Sequence, residues 1–204
     1  MITIIDYGSG NVLALANVYR RLGLGFSVAR SRAELEGCTK LILPGVGAFD
    51  HAMSRFEASG MRESVVELVK TEQVPILGIC VGMQMLATAS DEGSLPGLGL
   101  VDGRVKALGA VESSSRLPIP HMGWNDVQPT SSHPLFQGLQ EHARFYFLHS
   151  YYFECARAED VMATVEYGRR FTCAVNSGSA YGVQFHPEKS HHWGVQLLQN
   201  FAEL

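Results

Sequence analysis

The sequence predicts an α/β fold, a mostly parallel central sheet flanked by helices and carrying an antiparallel extension. Three observations predict it. Short apolar runs alternate with segments of helical period through the first half, the pattern of a parallel sheet covered on both faces. The second half changes to short runs joined by turn residues, which suits antiparallel strands at the far edge of the same sheet. No linker-like stretch and no internal repeat divides the 204 residues, so one domain over 1–204 is expected.

Taken in order, Ile2 to Ile5 is a buried-strand candidate, followed by the turn Asp6-Tyr-Gly-Ser-Gly10. Asn11 opens a helical pattern that puts Val12, Leu15, Val18, Tyr19 and Leu22 on one face and stops at Gly23. Phe26 to Ala29 and Lys40 to Leu43 are the next strands, the latter ended by Pro44-Gly-Val-Gly47. A helical stretch runs from about Ala48 into the sixties, with an interruption near Gly60. Val74 to Ile79 is a fourth strand that passes straight into a helical pattern from Val81 to Ala89. Gly, Pro and Ser punctuate the chain from Gly93 to Pro134, around the short alternating run Gly103 to Leu108. Phe145 to Leu148, Ala163 to Glu166, Thr172 to Val175 and Gly182 to Phe185 read as strands, and a last helix spans about Ser190 to Glu203.

Composition narrows the function classes. The chain is 46% hydrophobic and 18% charged with a net charge of −4, so electrostatics favour neither nucleic acid nor an anionic membrane. No apolar run approaches the roughly 18 residues of a membrane span, and the start of the chain reads as a strand rather than a signal peptide. A cytoplasmic location is the default expectation. The four cysteines, Cys38, Cys80, Cys155 and Cys173, show neither disulfide-framework nor zinc-site spacing and are expected as free thiols.

One cysteine stands apart. Gly78-Ile-Cys-Val-Gly82 places Cys80 where a buried strand turns at once into a helix, the Gly-x-nucleophile-x-Gly pattern of a nucleophile elbow. Such a turn exposes the thiol at the carboxyl end of the sheet, at a helix start that favours the thiolate. The plain alternative is a packed core cysteine between two turn-forming glycines. An amidase-type thiolate also needs a base held in one tautomer by a third group. His186-Pro-Glu188 offers one: in an extended segment residues two apart share a face, and Pro187 stiffens the pair. His186, Glu188, His191 and His192 together also permit a metal reading, although their spacing matches no common zinc pattern. For the oxyanion, the Val81 N–H is the natural first donor. The strand-ending turn at Pro44 to Gly47 makes Val46 or Gly47 a candidate second donor, or is simply a turn.

These residues resemble the triad-type glutamine amidotransferases. The resemblance rests on PGVGAF (Pro44 to Phe49), GICVGMQ (Gly78 to Gln84) and FHPEKS (Phe185 to Ser190), and covers essentially the whole chain. It implies a class I amidotransferase-like α/β fold with a Cys-His-Glu triad: Cys80 as nucleophile, His186 as base and acid, Glu188 orienting the imidazole. It further implies that Gln84, Gly45, Ser150 and Tyr151 lie beside a glutamine substrate, and that no metal or organic cofactor takes part. Ile5-Asp-Tyr-Gly-Ser-Gly-Asn11 and Pro120-His-Met-Gly-Trp-Asn125 are similar, within that family, to the glutaminase subunits of imidazole glycerol phosphate synthase. That likeness implies a (β/α)₈-barrel cyclase subunit as heterodimer partner, receiving ammonia for imidazole glycerol phosphate formation in histidine biosynthesis.

By composition a Trp in a Pro- and Gly-bounded loop is either a core plug or an exposed anchor; the resemblance places Met122, Trp124 and Asn125 at the partner boundary. Tyr146, Lys189 and Asn11 match the same boundary by resemblance, although an Asn opening a helix also reads as a plain cap. Two other classes stay in play: another cysteine hydrolase, such as a peptidase or γ-glutamyl hydrolase, and a non-catalytic subunit that keeps the fold.

Overall fold

The computed structural model describes residues 1–109 and 117–204; residues 110–116 belong to the Gly-, Pro- and Ser-punctuated stretch. The parallel part of the sheet is built from β1 (Ile2–Ile5), β2 (Phe26–Ala29), β3 (Lys40–Gly45), β4 (Ile76–Cys80) and β12 (Ala180–Val183). They lie side by side in the order β2-β1-β3-β4-β12, every neighbouring pair parallel. Every residue of β1 and β4 is buried, which is why these strands are continuous apolar runs rather than alternating ones. Beyond β12 the sheet turns antiparallel through β11 (Arg170–Ser177), β10 (Val161–Glu166), β7 (His121–Pro129) and β8 (Arg144–His149). A side branch of β5 (Ala89–Ser90), β6 (Gly103–Ala107) and β9 (Tyr151–Cys155) joins it at β11.

The helices are amphipathic for local reasons. α1 (Val12–Leu22) buries Leu15, Ala16, Val18 and Tyr19, each large side chain worth about 1.5–3 kcal/mol of transfer free energy. It ends where Gly23 adopts a left-handed φ of 69° that a side chain would resist. The stretch after residue 48 divides into α2 (Phe49–Ala58) and α3 (Arg62–Lys70), hinged at Gly60, whose φ is 70°. α5 (His191–Glu203) closes the chain against α1. Among the described residues no helix is long and apolar enough to cross a membrane, and the cysteines are free.

Three expectations are corrected. The helix after Cys80 does not reach Ala89: α4 spans only Val81–Met85. Leu86 and Ala87 close it with bonds to Met83 and Gln84, three residues back, and the Thr88 N–H is taken by Gly103 in the sheet. Because residues 81–87 are buried on all sides, helical period could not say where the helix stops. The stretch around Trp124 is not a loop but part of the nine-residue strand β7, whose residues His121 to Asp126 pair with β8. Finally, His186 and Glu188 do not meet through extended geometry. Pro187–Lys189 is a single 3₁₀ turn, closed by Lys189 N–H to His186 O (3.0 Å) and Ser190 N–H to Pro187 O (3.0 Å). Pro187 serves as the first residue of that turn, where its fixed φ suits and its missing N–H costs nothing.

Candidate active site

Cys80 sits at the carboxyl end of β4 with φ 55° and ψ −113°, a strained conformation for a residue with a side chain. The flanking glycines explain how the chain tolerates it. A Cβ on Gly78 would lie 2.6 Å from the Gly82 carbonyl oxygen, and one on Gly82 would collide with the Leu43 carbonyl. Strand, elbow and helix therefore pack backbone to backbone, and the sulfur is turned into a cleft of about 510 Å³. There the thiol approaches Leu148 O at 3.9 Å, and Gln184 Nε2 points at the sulfur from 3.8 Å.

His186 and Glu188 reach the same cleft from the 3₁₀ turn, with His186 Nδ1 2.9 Å from Glu188 Oε1 and both side chains nearly inaccessible to solvent. Burial alone would push the imidazole down. Its interaction with Cys80, and then its bond to Glu188, outweigh burial and hold His186 above its ordinary value. Burial likewise works against the Glu188 carboxylate, yet His186 and then Asn11 keep it below the usual range. The two directions agree on a charged pair.

The turn is fastened from outside. Ser190 Oγ donates to His186 O at 2.6 Å and accepts from the Tyr146 N–H at 2.9 Å, while the His186 N–H donates to Tyr146 O at 2.9 Å. Asn11 occupies the N-cap position of α1 but makes no side-chain cap bond. Its Nδ2 donates instead to Glu188 Oε1 at 2.7 Å. The cap reading of Asn11 is thus replaced by a contact with the carboxylate.

Of the donor candidates, Val81, Val46 and Gly47 all line the cleft. The Val46 N–H is engaged, however, pointing at Ser9 Oγ (3.3 Å), while Ser9 Oγ donates to Val46 O (3.1 Å). Because a peptide unit is planar and trans, the Gly47 N–H faces away from Ser9, so Gly47 rather than Val46 carries the donor not committed there. Gly45 is not part of the lining; it is packed beneath it, and a Cβ there would lie 2.9 Å from the Val81 carbonyl carbon.

Gln84, Ser150 and Tyr151 also line the cleft, as do Lys189, Asn11 and Glu92. Gln84 Nε2 donates to Tyr151 O (3.2 Å) and to Gln184 Oε1 (3.0 Å). Glu92 also accepts the Phe49 N–H at 2.9 Å, which ties it to the start of α2. Met122 and Trp124 lie outside the cleft on the exposed face of β7, 64% and 39% accessible. Trp124 stacks on His191 (5.2 Å, 8°) and meets Tyr146 edge-on, and Lys189 Nζ lies 5.8 Å from the Tyr146 ring centre. Asn125 faces the other side of the strand, bonded to Glu166 O at 2.9 Å, and is no part of that exposed face.

Sequence reasoning missed Ser9, Glu92, Gln184, Ser190, His121 and His149. Only Gln184 and Ser190, flanking the His-Pro-Glu run, carried a local signal. Among the described residues no cluster of three or more His, Cys, Asp or Glu could hold a metal ion. The metal reading of His186, Glu188, His191 and His192 fails because His186 is committed to Glu188 and His191 stacks on Trp124.

Comparison with known proteins places this geometry. Residues 3–204 match the family Glutamine amidotransferase class-I. Over the full length of both chains, the sequence is 57% identical to imidazole glycerol phosphate synthase subunit HisH of Bdellovibrio bacteriovorus. It is 50% identical to subunit HisH of Leptospira borgpetersenii, again over the full length of both. A crystal structure of a glutamine amidotransferase, 21% identical, superposes with a TM-score of 0.77 over 99% of this chain and 97% of its own. The structure of PurLQS from Thermotoga maritima, 17% identical, gives 0.74 over the same shares. At such identities these likenesses speak for the fold.

Proposed function

We propose that this chain, which belongs to the class-I glutamine amidotransferases and within them to the family of imidazole glycerol phosphate synthase HisH subunits, hydrolyses glutamine through a Cys80 thioester and passes the ammonia to a (β/α)₈-barrel cyclase subunit. One observation carries the reading: a cysteine on a strained elbow shares a cleft with a buried, charged His186–Glu188 pair.

The Cys80 thiolate attacks the side-chain amide carbon of glutamine. The Val81 N–H and a donor from the Val46-Gly47 turn take the oxyanion, each worth about 10² to 10³ in rate. His186 gives its proton to the departing nitrogen as the C–N bond breaks, leaving ammonia and a thioester on Cys80. It then takes a proton from water, which attacks the thioester and releases glutamate with the thiolate restored. Glu188 holds the imidazolium that is present before the first step and forms again when water is deprotonated, and Asn11 holds Glu188. Gln84, Ser150 and Tyr151 border the substrate, and Glu92, a carboxylate on the cleft wall, is positioned to take its ammonium group. With the Val46 N–H drawn to Ser9, the donor turn is where a partner switches the rate.

The test is ammonia release from glutamine, measured with and without the cyclase subunit and its nucleotide ligand. Stimulation by the partner is expected, with a loss of at least about 10⁴-fold in Cys80→Ala. Peptide cleavage in place of ammonia release, or an active Cys80→Ala chain, overturns the reading.

A further inference from the structure

Next to Ser150 and Tyr151 are two buried histidines that the reaction above does not use: His149, which lines the cleft, and His121, which does not. His121 on β7 and His149 at the end of β8 are register partners, only 2% and 6% exposed. The His121 ring is sandwiched between Phe147 (4.7 Å) and Tyr167 (4.0 Å). His121 Nδ1 lies 2.9 Å from His149 Nε2, and His149 Nδ1 lies 2.7 Å from Tyr151 O. At the outer end, Asn125 Nδ2 lies 3.2 Å from His121 Nε2.

The direction of every bond in this chain follows from its ends. Asn125 Nδ2 also contacts the Glu166 carbonyl (2.9 Å), and Asn125 Oδ1 accepts the Asp126 N–H (2.8 Å), so the amide orientation is settled. Asn125 therefore donates to His121 Nε2, which must be the bare nitrogen, and the proton of a neutral His121 is on Nδ1. That proton points at His149 Nε2, leaving the His149 proton on Nδ1, aimed at Tyr151 O. The far end demands the same answer independently, because a carbonyl only accepts.

We propose that His121 and His149 are positioning residues for the glutamine-holding segment: two neutral imidazoles, both in the Nδ1–H tautomer, that run hydrogen bonds in one direction from Asn125 to the Tyr151 carbonyl. The inference rests on the functional reading above, which assigns Ser150 and Tyr151 to the substrate. Tyr151 O also receives Gln84 Nε2, and Ser150 O receives the Leu108 N–H at 2.9 Å. Both carbonyls of the segment are thereby pinned, so the peptide planes at Ser150 and Tyr151, and the N–H groups they carry, are held rigid. Burial keeps the His121 ring below its ordinary value, at about 4; burial, helped by His121 and His186 and opposed by the bond to Tyr151 O, holds His149 at about 3. They therefore stay neutral while His186 carries its proton.

Two measurements test this. In the ¹⁵N-histidine spectrum of the intact chain, two imidazoles assigned to His121 and His149 should show protonated Nδ1, bare Nε2 and no titration near pH 6.5. Nε2–H tautomers, or titration near 6.5, overturn the relay. The second measurement is the glutamine KM with the partner present. His149→Asn keeps a donor where Nδ1–H stood and should hold KM within about threefold. His149→Gln keeps only the Nε2 side and should raise KM about tenfold, the scale of one buried hydrogen bond, with kcat changed less. Equal KM values in the two variants overturn the positioning role. A wild-type chain with no glutaminase activity would instead overturn the functional reading, and the tautomer signals would still decide the relay.

Discussion

Asn11 and Glu188 stand 177 residues apart in the chain and 2.7 Å apart in the molecule. The carboxylate is buried, and its Oε2 has no hydrogen-bond partner among the described residues, so the side-chain donors that steady its charge are the two at Oε1. Removing one of them weakens the group that holds the imidazolium. Asn11→Ala is therefore expected to lower kcat for glutamine about tenfold with little change in KM, the cost of one hydrogen bond to a charged group. Asn11→Asp sets a second carboxylate against the first and should shift the acid limb of the pH–rate profile upward. Steady-state ammonia release across pH measures both, and wild-type kinetics in both variants would show that Asn11 does not serve the triad. Residues of this kind mark the limit of a sequence reading. Cys80 was legible because its reason is local, two glycines within two positions that let the backbone cross itself. Asn11, whose partner lies 177 residues away, looks by its neighbours like an ordinary helix start.

Strand β7 shows the same limit at the level of an element. Its outward positions carry Met122 and Trp124, and its inward ones carry His121, Gly123 and Asn125, so the alternation is present but the buried side is polar. Hydrophobic period finds β1, β3 and β4, whose burial is apolar, and passes over a strand whose interior face is hydrogen-bonded. The composition of that face has a thermodynamic consequence. In an unfolded chain His121 and His149 titrate near 6.5, whereas folded they are held at about 4 and about 3. Between those values the unfolded state binds more protons, so stability rises with pH there and is lost as pH falls from about 6.5 through 4 towards 3. Glu188, held low, acts in the same sense on the acid side; His186, held high, contributes below its unfolded value and loses that contribution only as pH rises through its folded one. Urea midpoints between pH 7 and 4 are thus expected to fall with pH, and to fall less steeply in His121→Gln. An unchanged slope in that variant would show that His121 is not buried neutral.

At the scale of the whole molecule, the cleft opens beside an apolar surface. Met122, Trp124 and Leu148 are 64%, 39% and 38% exposed, β7 and β8 set Met122 against Leu148 and Trp124 against Tyr146, and Leu148 itself lines the cleft. A patch of large apolar side chains on one face suits a docking site, and its place beside the cleft fits the reaction and partner proposed. Ammonia is small and basic, and in open water it takes a proton and is lost to the next step. A partner seated on Trp124 and its neighbours would close the mouth and receive the ammonia unprotonated. Trp124 is already stacked flat on His191, so in the proposed interface it would have little side-chain entropy left to lose. A rigid aromatic at the centre of such a patch is the kind of residue whose truncation costs about 2 kcal/mol or more, a loss of roughly thirtyfold or more in affinity. Trp124→Ala should therefore raise the Kd for the cyclase subunit by about that factor, and Trp124→Phe should recover much of it. Titration of the labelled chain with its partner measures the Kd. The same samples, given glutamine, should release more of their ammonia to solvent in Trp124→Ala at equal occupancy. Unchanged affinity together with unchanged leakage would move the docking site off this face.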